Sequence, residues 1–301
     1  MNRREFLVGA TATAVALGTL RGISEAETVS QSKANATVSQ LKKGVIFSML
    51  PGSLSVADRF KLARDVGFDG VEVSPTSDAA EIKTMREAAE KAGVEIHSII
   101  FGGWQSPLSS PDPAIGERGV KEIKAALEGA KQLGATGLLL VPGVVNAETR
   151  YVDCYKRSQK LLHELIPTAE SVRIPILIEN VWNNFLLSPL EFARYIDELK
   201  SPWVQAYFDV GNVIAFGWSE DWIRTLGKRI RKIHLKDFKK GPREWVNLLD
   251  GDVNWPEVRK ALDEVGYEGY LTAELSGGNE KYLRDLSERM SKIIDSGGKV
   301  S

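Results

Sequence analysis

Four side chains that can bind a metal ion stand at the ends of four separate apolar runs. They are Glu179 in ILIEN, Asp209 in YFDVGN, His234 in KIHLKDF and Glu274 in LTAELS. In the third run two apolar residues alternate with His234 and Lys236, which predicts a buried strand with both nitrogen side chains on one face. A buried ammonium needs a partner, and histidine is the commonest metal ligand among side chains. Carboxylates or a metal ion should therefore face this strand.

The surrounding sequence alternates short apolar runs with longer amphipathic stretches. Strands are predicted at 44–50, 70–74, 95–100, 137–142, 174–180, 204–210, 230–238 and 270–275. Helices are predicted at 56–66, 79–92, 115–133, 153–172, 189–199, 221–227, 255–265 and 282–294. Eight such units predict an α/β fold, a (β/α)8 TIM barrel. An open doubly wound sheet is the alternative, and the lack of a glycine-rich dinucleotide fingerprint after the first strand disfavours it.

The chemistry of such a barrel lies at the carboxyl ends of its strands. The four candidate ligands lie at or near the ends of the predicted fifth, sixth, seventh and eighth strands, which are neighbours in the barrel. The sequence therefore predicts that they converge on one divalent ion. Each residue alone has a simpler explanation, since such carboxylates often cap helices or form ion pairs. Three carboxylates and one imidazole suit Mn²⁺, Mg²⁺ or Co²⁺ and leave Zn²⁺ open.

The order Glu, Asp, His, Glu on strands five to eight resembles the xylose isomerase-like superfamily of sugar isomerases and epimerases. The resemblance covers residues 43–295 and looks most like the sugar phosphate isomerase/epimerase branch. The segments that carry it are IEN (178–180), FDVGN (208–212), IHLKD (233–237), GDVNWP (251–256) and GYLTAE (269–274). In the ketose 3-epimerases of that superfamily, the residues corresponding to Glu179 and Glu274 bind the metal and exchange protons with the substrate carbon. The resemblance implies both roles here.

Moving a proton next to a carbonyl requires a base, an electrophile that stabilises the enediolate, and a group that returns the proton. A divalent ion is such an electrophile. Lys236 would hold a developing oxyanion or a substrate hydroxyl, or would pair with a metal-binding carboxylate. The predicted function is therefore a metal-dependent isomerase or epimerase of a keto-sugar, a small-molecule carbohydrate.

Several further residues are predicted to contact the substrate. They are His97, Trp104, Asn180, Trp182, Asn212 and Arg243. A core position is the alternative for His97, and closing the barrel top is the alternative for the two tryptophans. Asn212 stands where the 3-epimerases typically have a histidine, and Phe185 stands where a further glutamate is common. The identity of the substrate therefore does not transfer from the resemblance.

Three other functions compete with the epimerase hypothesis. A lyase that expels the neighbouring substituent of a 3-keto-glycoside would use the same site. An endonuclease IV-type enzyme would need more than the three histidines that the chain contains. A non-catalytic sugar-binding barrel would be expected to lack one of the four ligands, and all four are present.

The bulk composition restricts the partners. With 39 basic and 40 acidic residues, the chain lacks the basic excess of nucleic-acid-binding proteins. The single cysteine, Cys154, excludes an internal disulfide framework and a cysteine-based zinc site. A homo-oligomer is compatible with the sequence.

The N-terminus resembles a twin-arginine export signal. Arg3 and Arg4 precede an apolar run over 6–20, which is shorter than the ~20 residues of a membrane span, although a permanent anchor is the alternative. We expect residues 1–26 to be this signal, 27–42 a linker and 43–301 one catalytic domain, with no stable span in the mature chain and a periplasmic location. Because phosphorylated sugars are normally kept in the cytoplasm, an uncharged substrate is expected.

Overall fold

Eight parallel strands close into a barrel in residues 41–296, the part of the 301-residue chain that the structure, a computed structural model, describes. The barrel strands are β1 Leu41–Ile46, β2 Gly70–Val73, β3 Glu95–Gly102, β4 Leu138–Leu140, β5 Ile176–Glu179, β6 Val204–Asp209, β7 Ile230–Leu235 and β10 Gly269–Ala273. An antiparallel hairpin, β8 Asp237–Lys239 and β9 Glu244–Val246, follows β7. Because β1 pairs with both β2 and β10, the sheet has no free edge. The predicted TIM barrel is confirmed.

Within residues 41–296, eight helices surround the barrel. They are α1 Val56–Asp65, α2 Ala79–Ala92, α3 Pro113–Leu133, α4 Tyr151–Val172, α5 Pro189–Glu198, α6 Ser219–Leu226, α7 Trp255–Glu264 and α8 Glu280–Asp295. Local chemistry sets several of their ends. The side chains of Asp78 and Asp112 accept backbone N–H groups at the starts of α2 and α3, and Gly93 and Gly134 end the same helices with positive φ.

The strands bury both faces, one against the helices and one inside the barrel. Leu139, Leu177 and Tyr207 form a small apolar cluster separate from the main core. Since side chains two residues apart share a face, Leu177 lies on the face of Glu179, and Tyr207 lies on that of Asp209. This cluster therefore forms an apolar layer beneath the two carboxylates.

The predicted seventh strand, 230–238, divides into β7 and β8 because Asp237 forms hydrogen bonds with the segment that leads into α7. Its carboxylate accepts backbone N–H groups of Phe238, Leu249 and Val253 and the indole N–H of Trp255, over 2.9–3.2 Å. These bonds fold the segment between β9 and α7 back onto β8. The hairpin and this segment thus stand above the end of β7.

The barrel begins at Leu41, two residues inside the stretch predicted as a linker. The first strand also ends earlier than predicted, because residues Phe47–Met49 form a 3-10 turn. The predicted export signal and nearly all of the linker lie outside the described residues. Within residues 41–296, no helix is both long enough and apolar enough to cross a membrane.

Candidate functional site

Glu179, Asp209, His234 and Glu274 meet at the carboxyl ends of four neighbouring strands. Each offers a ligand atom, and these atoms all lie within 4.8 Å of one another. Asp209 and His234 are fully buried, Glu179 is nearly so, and the Glu274 side chain is 26% exposed. The sequence prediction that these four residues converge agrees with this geometry.

Strand register produces the arrangement. Asp209 on β6 is the direct partner of His234 on β7, and Thr272 on β10 pairs with His234 on its other side. Glu274 follows β10 by one residue and hydrogen-bonds through its backbone N–H to Leu235. A side chain at residue 211 would collide with Lys236, 2.5 Å from its Cβ, so glycine is needed there for the close approach of the two segments.

Two cationic side chains share the carboxylates. Lys236 Nζ lies 2.8 Å from Glu274 Oε2 and 3.2 Å from Asp209 Oδ2. His234 Nδ1 lies 2.6 Å from the same Glu274 oxygen and 3.0 Å from Glu179 Oε1. His234 and Lys236 therefore do face one wall, as their alternation with apolar residues predicts.

The cluster fits a divalent cation. Asp209 Oδ2 and Glu274 Oε2 are buried, and although cationic groups approach them, neither accepts a well-directed hydrogen bond. Both oxygens thus retain lone pairs for a further electrophile. Three carboxylates with one imidazole form an oxygen-rich donor set, which suits Mn²⁺, Mg²⁺ or Co²⁺.

The same contacts separate the proton affinities of the two glutamates. Burial raises the pKa of Glu179 to about 7, with a contribution from the charge of Glu274. Burial acts in the same direction on Glu274, but the positive charges of His234 and Lys236 outweigh it and hold the pKa of Glu274 well below its usual range. Near neutral pH, one carboxyl group can therefore hold a proton while the other is ionised.

Asn180 and Asn212 hold the Asp209 segment in place. Asn180 accepts the backbone N–H of Asp209 at 2.8 Å and donates to its carbonyl oxygen at 2.9 Å. Asn212 donates its backbone N–H to Asp209 Oδ1 at 2.6 Å and its amide group to Asn180 O at 2.8 Å. The indole of Trp182 donates to the carbonyl of Asn212. Contact of the two asparagines with a substrate stays a prediction, whereas their bonds to the Asp209 segment are observed.

The other residues predicted to contact substrate lie in different surroundings. His97 is buried in the barrel interior. Its ring stacks on that of Tyr270 with the centroids 4.0 Å apart, and its Nδ1 atom lies 3.3 Å from Lys232 Nζ. This is the core position that the sequence left open as the alternative. Trp104 follows β3 and is 52% exposed, and Arg243 occupies the turn of the hairpin with a positive φ.

A cavity of about 560 Å³ opens beside the cluster and is lined by Lys236, Glu274, Tyr282 and Trp245. Trp245 lies on β9, is 44% exposed, and its ring lies 5.1 Å from that of Trp182, between centroids. Lys236 Nζ is 5.8 Å from the centre of the Trp245 ring. An exposed aromatic surface therefore stands directly beside the ionised groups. A larger cavity between α4 and α5 contains none of the four candidate ligands.

Three residues of the site were not predicted from the sequence. Trp245 is one of them, because it lies on β9 of a hairpin that was not predicted. Tyr207 packs its ring on His234, with centroids 4.3 Å apart. Glu72 is fully buried on β2, and its Oε2 lies 2.6 Å from His234 Nε2. A charged residue inside an otherwise apolar strand, GVEV, is the signal that would have found Glu72.

Comparisons with known proteins agree with this fold. L-ribulose-5-phosphate 3-epimerase UlaE of Escherichia coli (strain K12) is 27% identical over 275 residues, which cover 84% of this chain and 96% of that protein. A D-tagatose 3-epimerase-like protein superposes with a TM-score of 0.74 at 22% identity, covering 84% and 96% of the two chains. The 3-keto-D-glucoside 4-epimerase YcjR of E. coli superposes with a TM-score of 0.70 at 14% identity, covering 85% and 98%. At these identities the two superpositions show the fold alone.

The resemblance drawn from the Glu, Asp, His, Glu order is confirmed at the level of the family. Residues 60–293 match the family model described as xylose isomerase-like TIM barrel, and that span includes β2 to β10 with all four candidate ligands. More than half of the chain is matched. The chain therefore belongs to the xylose isomerase-like TIM barrel family.

Proposed function

We propose that this protein is a divalent-metal-dependent epimerase or isomerase that moves a proton beside the carbonyl of a keto-sugar. One observation carries the proposal. Glu179 and Glu274 both reach His234 Nδ1, at 3.0 and 2.6 Å, so two carboxylates with opposite pKa shifts adjoin a single centre. The isomerase class predicted from the sequence agrees with the names of the curated relatives, which are 3-epimerases.

Glu179, Asp209, His234 and Glu274 would hold the cation. When bound, a divalent ion would polarise the substrate carbonyl and lower the pKa values of its ligands. The donor set, with its three carboxylates and its retained lone pairs, supports this assignment.

Proton transfer falls to the two glutamates. In the direction that starts from ionised Glu274, this carboxylate removes the proton from the carbon beside the carbonyl, and the electron pair of that C–H bond moves onto the carbonyl oxygen to give an enediolate. Glu179, which is protonated at the start of this direction, returns its proton to the opposite face of the same carbon. Lys236, 2.8 Å from Glu274, is placed to stabilise the oxyanion. The reverse reaction exchanges the roles of the glutamates.

A lyase acting on 3-keto-glycosides is the second candidate. Its first step, removal of the proton beside the keto group, needs the same two carboxylates. The cavity beside Trp245 favours this candidate in one respect, because an exposed aromatic face next to Glu274 suits a second ring or an aglycone. The two functions differ in whether a neighbouring substituent leaves the substrate.

For the substrate, we favour an uncharged keto-sugar or keto-glycoside over a sugar phosphate. The names of the curated relatives point the other way, since they act on L-ribulose 5-phosphate. In this chain, however, the loop before α8 is not open for an anion. Gly278 donates its N–H to Met49 O, Asn279 caps the helix through Tyr282 N, and a Cβ at residue 277 would lie 2.7 Å from Met49 O. Close packing therefore accounts for both glycines. Export to the periplasm, proposed from the N-terminal residues, agrees with an unphosphorylated substrate.

Product analysis tests the proposal most directly. Purified protein with Mn²⁺ is incubated with a panel of free ketoses, their phosphates and 3-keto-glycosides, and the products are separated by chromatography. A new epimer or isomer from at least one member supports the leading function. Release of an aglycone supports the lyase instead. A metal-loaded protein that converts no member, or that converts one without proton exchange, would overturn the proposed mechanism.

A further inference from the structure

A second carboxylate contact on His234 lies on the side of the ring away from the metal cluster. Glu72 Oε2 is 2.6 Å from His234 Nε2, and both side chains are fully inaccessible to solvent. Glu72 belongs to β2 and His234 to β7, and these strands are not neighbours in the barrel. The contact therefore crosses the barrel interior and is not a by-product of strand pairing.

The two ring nitrogens of His234 face different groups. Nδ1 faces the carboxylates of Glu179 and Glu274, whereas Nε2 faces Glu72. A neutral imidazole carries one N–H group, and only the other nitrogen has a lone pair that can bind a metal. If Nε2 donates its hydrogen to Glu72, the lone pair of Nδ1 is directed at the cluster.

We propose that Glu72 is a positioning residue that fixes the orientation and tautomer of His234, so that Nδ1 is the ligating atom. This inference rests on the metal dependence in the proposed function. It adds Glu72 to the site as a residue that acts on the metal through His234. The ring of Tyr207, 4.3 Å from that of His234 between centroids, restrains the imidazole from a second direction. Carboxylates that accept the distant N–H of a metal-bound histidine typically change metal affinity by about 10–100-fold when removed.

The burial of Glu72 has a cost that this role explains. A carboxylate with no solvent exposure is unfavourable unless it is paired. Its Oε2 contacts His234, whereas its Oε1 has no hydrogen-bond partner. The strand around it is otherwise apolar, so packing alone would be served by leucine or methionine at this position. Within residues 41–296, the contact with His234 is the one hydrogen bond or ion pair of this side chain, while its charge also acts on Lys232 and Tyr207.

The test measures Mn²⁺ dissociation constants by titration of the full-length, metal-stripped protein, without substrate. Glu72→Ala should weaken Mn²⁺ binding by about 10–100-fold. Glu72→Gln should weaken it less than Glu72→Ala, because its amide oxygen can still accept the Nε2–H. His97→Gln is the matched control, since it changes another buried polar side chain of the barrel interior, whose ring nitrogens contact Lys232 and Thr272 and not the four ligands. It should change the constant by no more than about twofold.

Thermal unfolding in the presence of EDTA checks that each variant is folded. If Glu72→Ala does not fold, Glu72→Gln decides, with a several-fold rise in the dissociation constant expected because a neutral oxygen is a weaker acceptor. Wild-type affinity in the folded Glu72 variants would overturn this inference and leave the proposed function standing. An equal loss in His97→Gln would also overturn it, by showing a general response of the barrel interior. A wild-type protein that takes up no Mn²⁺ would overturn both the inference and the proposed metal dependence.

Discussion

The Nδ1 atom of His234 lies 2.6 Å from Oε2 of Glu274. The same nitrogen lies 3.0 Å from Glu179, so two carboxylates compete for one imidazole atom. Mutual repulsion of such close carboxylates is costly unless positive charge compensates for it. Lys236 and protonated His234 supply positive charge in the metal-free site, and a bound divalent cation would replace the charge of His234.

The first prediction concerns metal content. His234→Ala and Asp209→Ala should each lose stoichiometric divalent metal, because each removes one of four ligands from the cluster. Elemental analysis of purified proteins measures this, with unfolding curves recorded alongside.

Asp237→Asn is the matched control for the aspartate variant. Asp237 is also a buried aspartate at a strand end, but its carboxylate serves the segment before α7. It should keep the wild-type metal content. Full metal in both ligand variants would contradict the assignment of the site.

The second prediction concerns proton transfer. Glu179→Gln and Glu274→Gln should each reduce turnover by about 10²–10⁴-fold, since each removes one general acid or base. Incubation of the wild-type enzyme in deuterated water should place label on the carbon beside the carbonyl, which NMR detects.

The label also separates the two halves of the reaction. A glutamine variant that retains the base for one face can still exchange the proton on that face while it fails to invert the carbon. Turnover without solvent label would instead indicate hydride transfer, and wild-type rates in both variants would rule out the two glutamates.

The third prediction concerns the aromatic surface at the mouth of the cavity. Trp245→Leu should raise KM for a good substrate by roughly threefold to tenfold, since aromatic contacts contribute about 0.5–1.5 kcal/mol beyond burial. The effect should be larger for a glycoside with a second ring than for a free ketose. Trp203→Leu is the control, because Trp203 lies just before β6, at the opposite end of the barrel. Equal effects of the two variants would show that Trp245 acts through stability alone.

The ligand cluster was predictable from sequence because each member ends a recognisable apolar run, and barrel closure then places neighbouring strand ends together. Glu72 was not predictable in the same way. Its contact with His234 depends on which strands face each other across the barrel interior. The sequence around Glu72 does not predict which strand that is. The hairpin was not predicted, although Asp237 breaks the alternation of β7 by placing a carboxylate on the face of Ile233 and Leu235. Its hydrogen bonds to the segment before α7 turn the chain away from the barrel.

The fourth prediction concerns Lys232, a buried lysine that contacts Thr136 and His97. Within residues 41–296, no carboxylate lies within ion-pair distance of its ammonium group. Burial lowers the pKa of Lys232 from an ordinary 10.5 to about 8. Between these values the unfolded chain binds a proton that the folded chain lacks. The contribution of Lys232 to the free energy of unfolding therefore rises with pH across this window, by at most about 1.4 kcal/mol per pH unit.

The Lys232→Met variant isolates this contribution. Urea unfolding of both proteins in EDTA, at pH values from 7 to 9.5, gives the stability of wild type minus that of the variant. The difference should grow in favour of the wild type as the pH rises above 8. A difference that stays constant with pH would show that Lys232 titrates normally.

The last prediction concerns substrate charge. In the loop before α8, Gly278 donates its N–H to Met49 O, and the Asn279 side chain accepts the N–H of Tyr282 at the start of the helix. These two N–H groups are therefore not free to bind a phosphate. The protein should therefore have a higher kcat/KM for a free ketose or keto-glycoside than for the corresponding phosphate. Arg243, in the turn of the hairpin, is the residue whose sequence position suggests an anion contact. If the substrate is uncharged, Arg243→Ala should change the two kcat/KM values by the same factor.

Fractionation of cells that make the full-length chain adds an independent measurement, because a periplasmic enzyme would not meet phosphorylated intermediates that are kept in the cytoplasm. Replacing Arg3 and Arg4 by lysine should retain the protein in the cytoplasm if the N-terminus is a twin-arginine signal. Two results together would refute the uncharged substrate. They are a strong preference for the phosphate that Arg243→Ala abolishes, and a protein that stays in the cytoplasm with its N-terminus uncleaved. They would favour the reaction named for the L-ribulose-5-phosphate 3-epimerases. The metal site and the two glutamates would serve that reaction equally well, so this outcome would change the substrate and leave the proton-transfer mechanism in place.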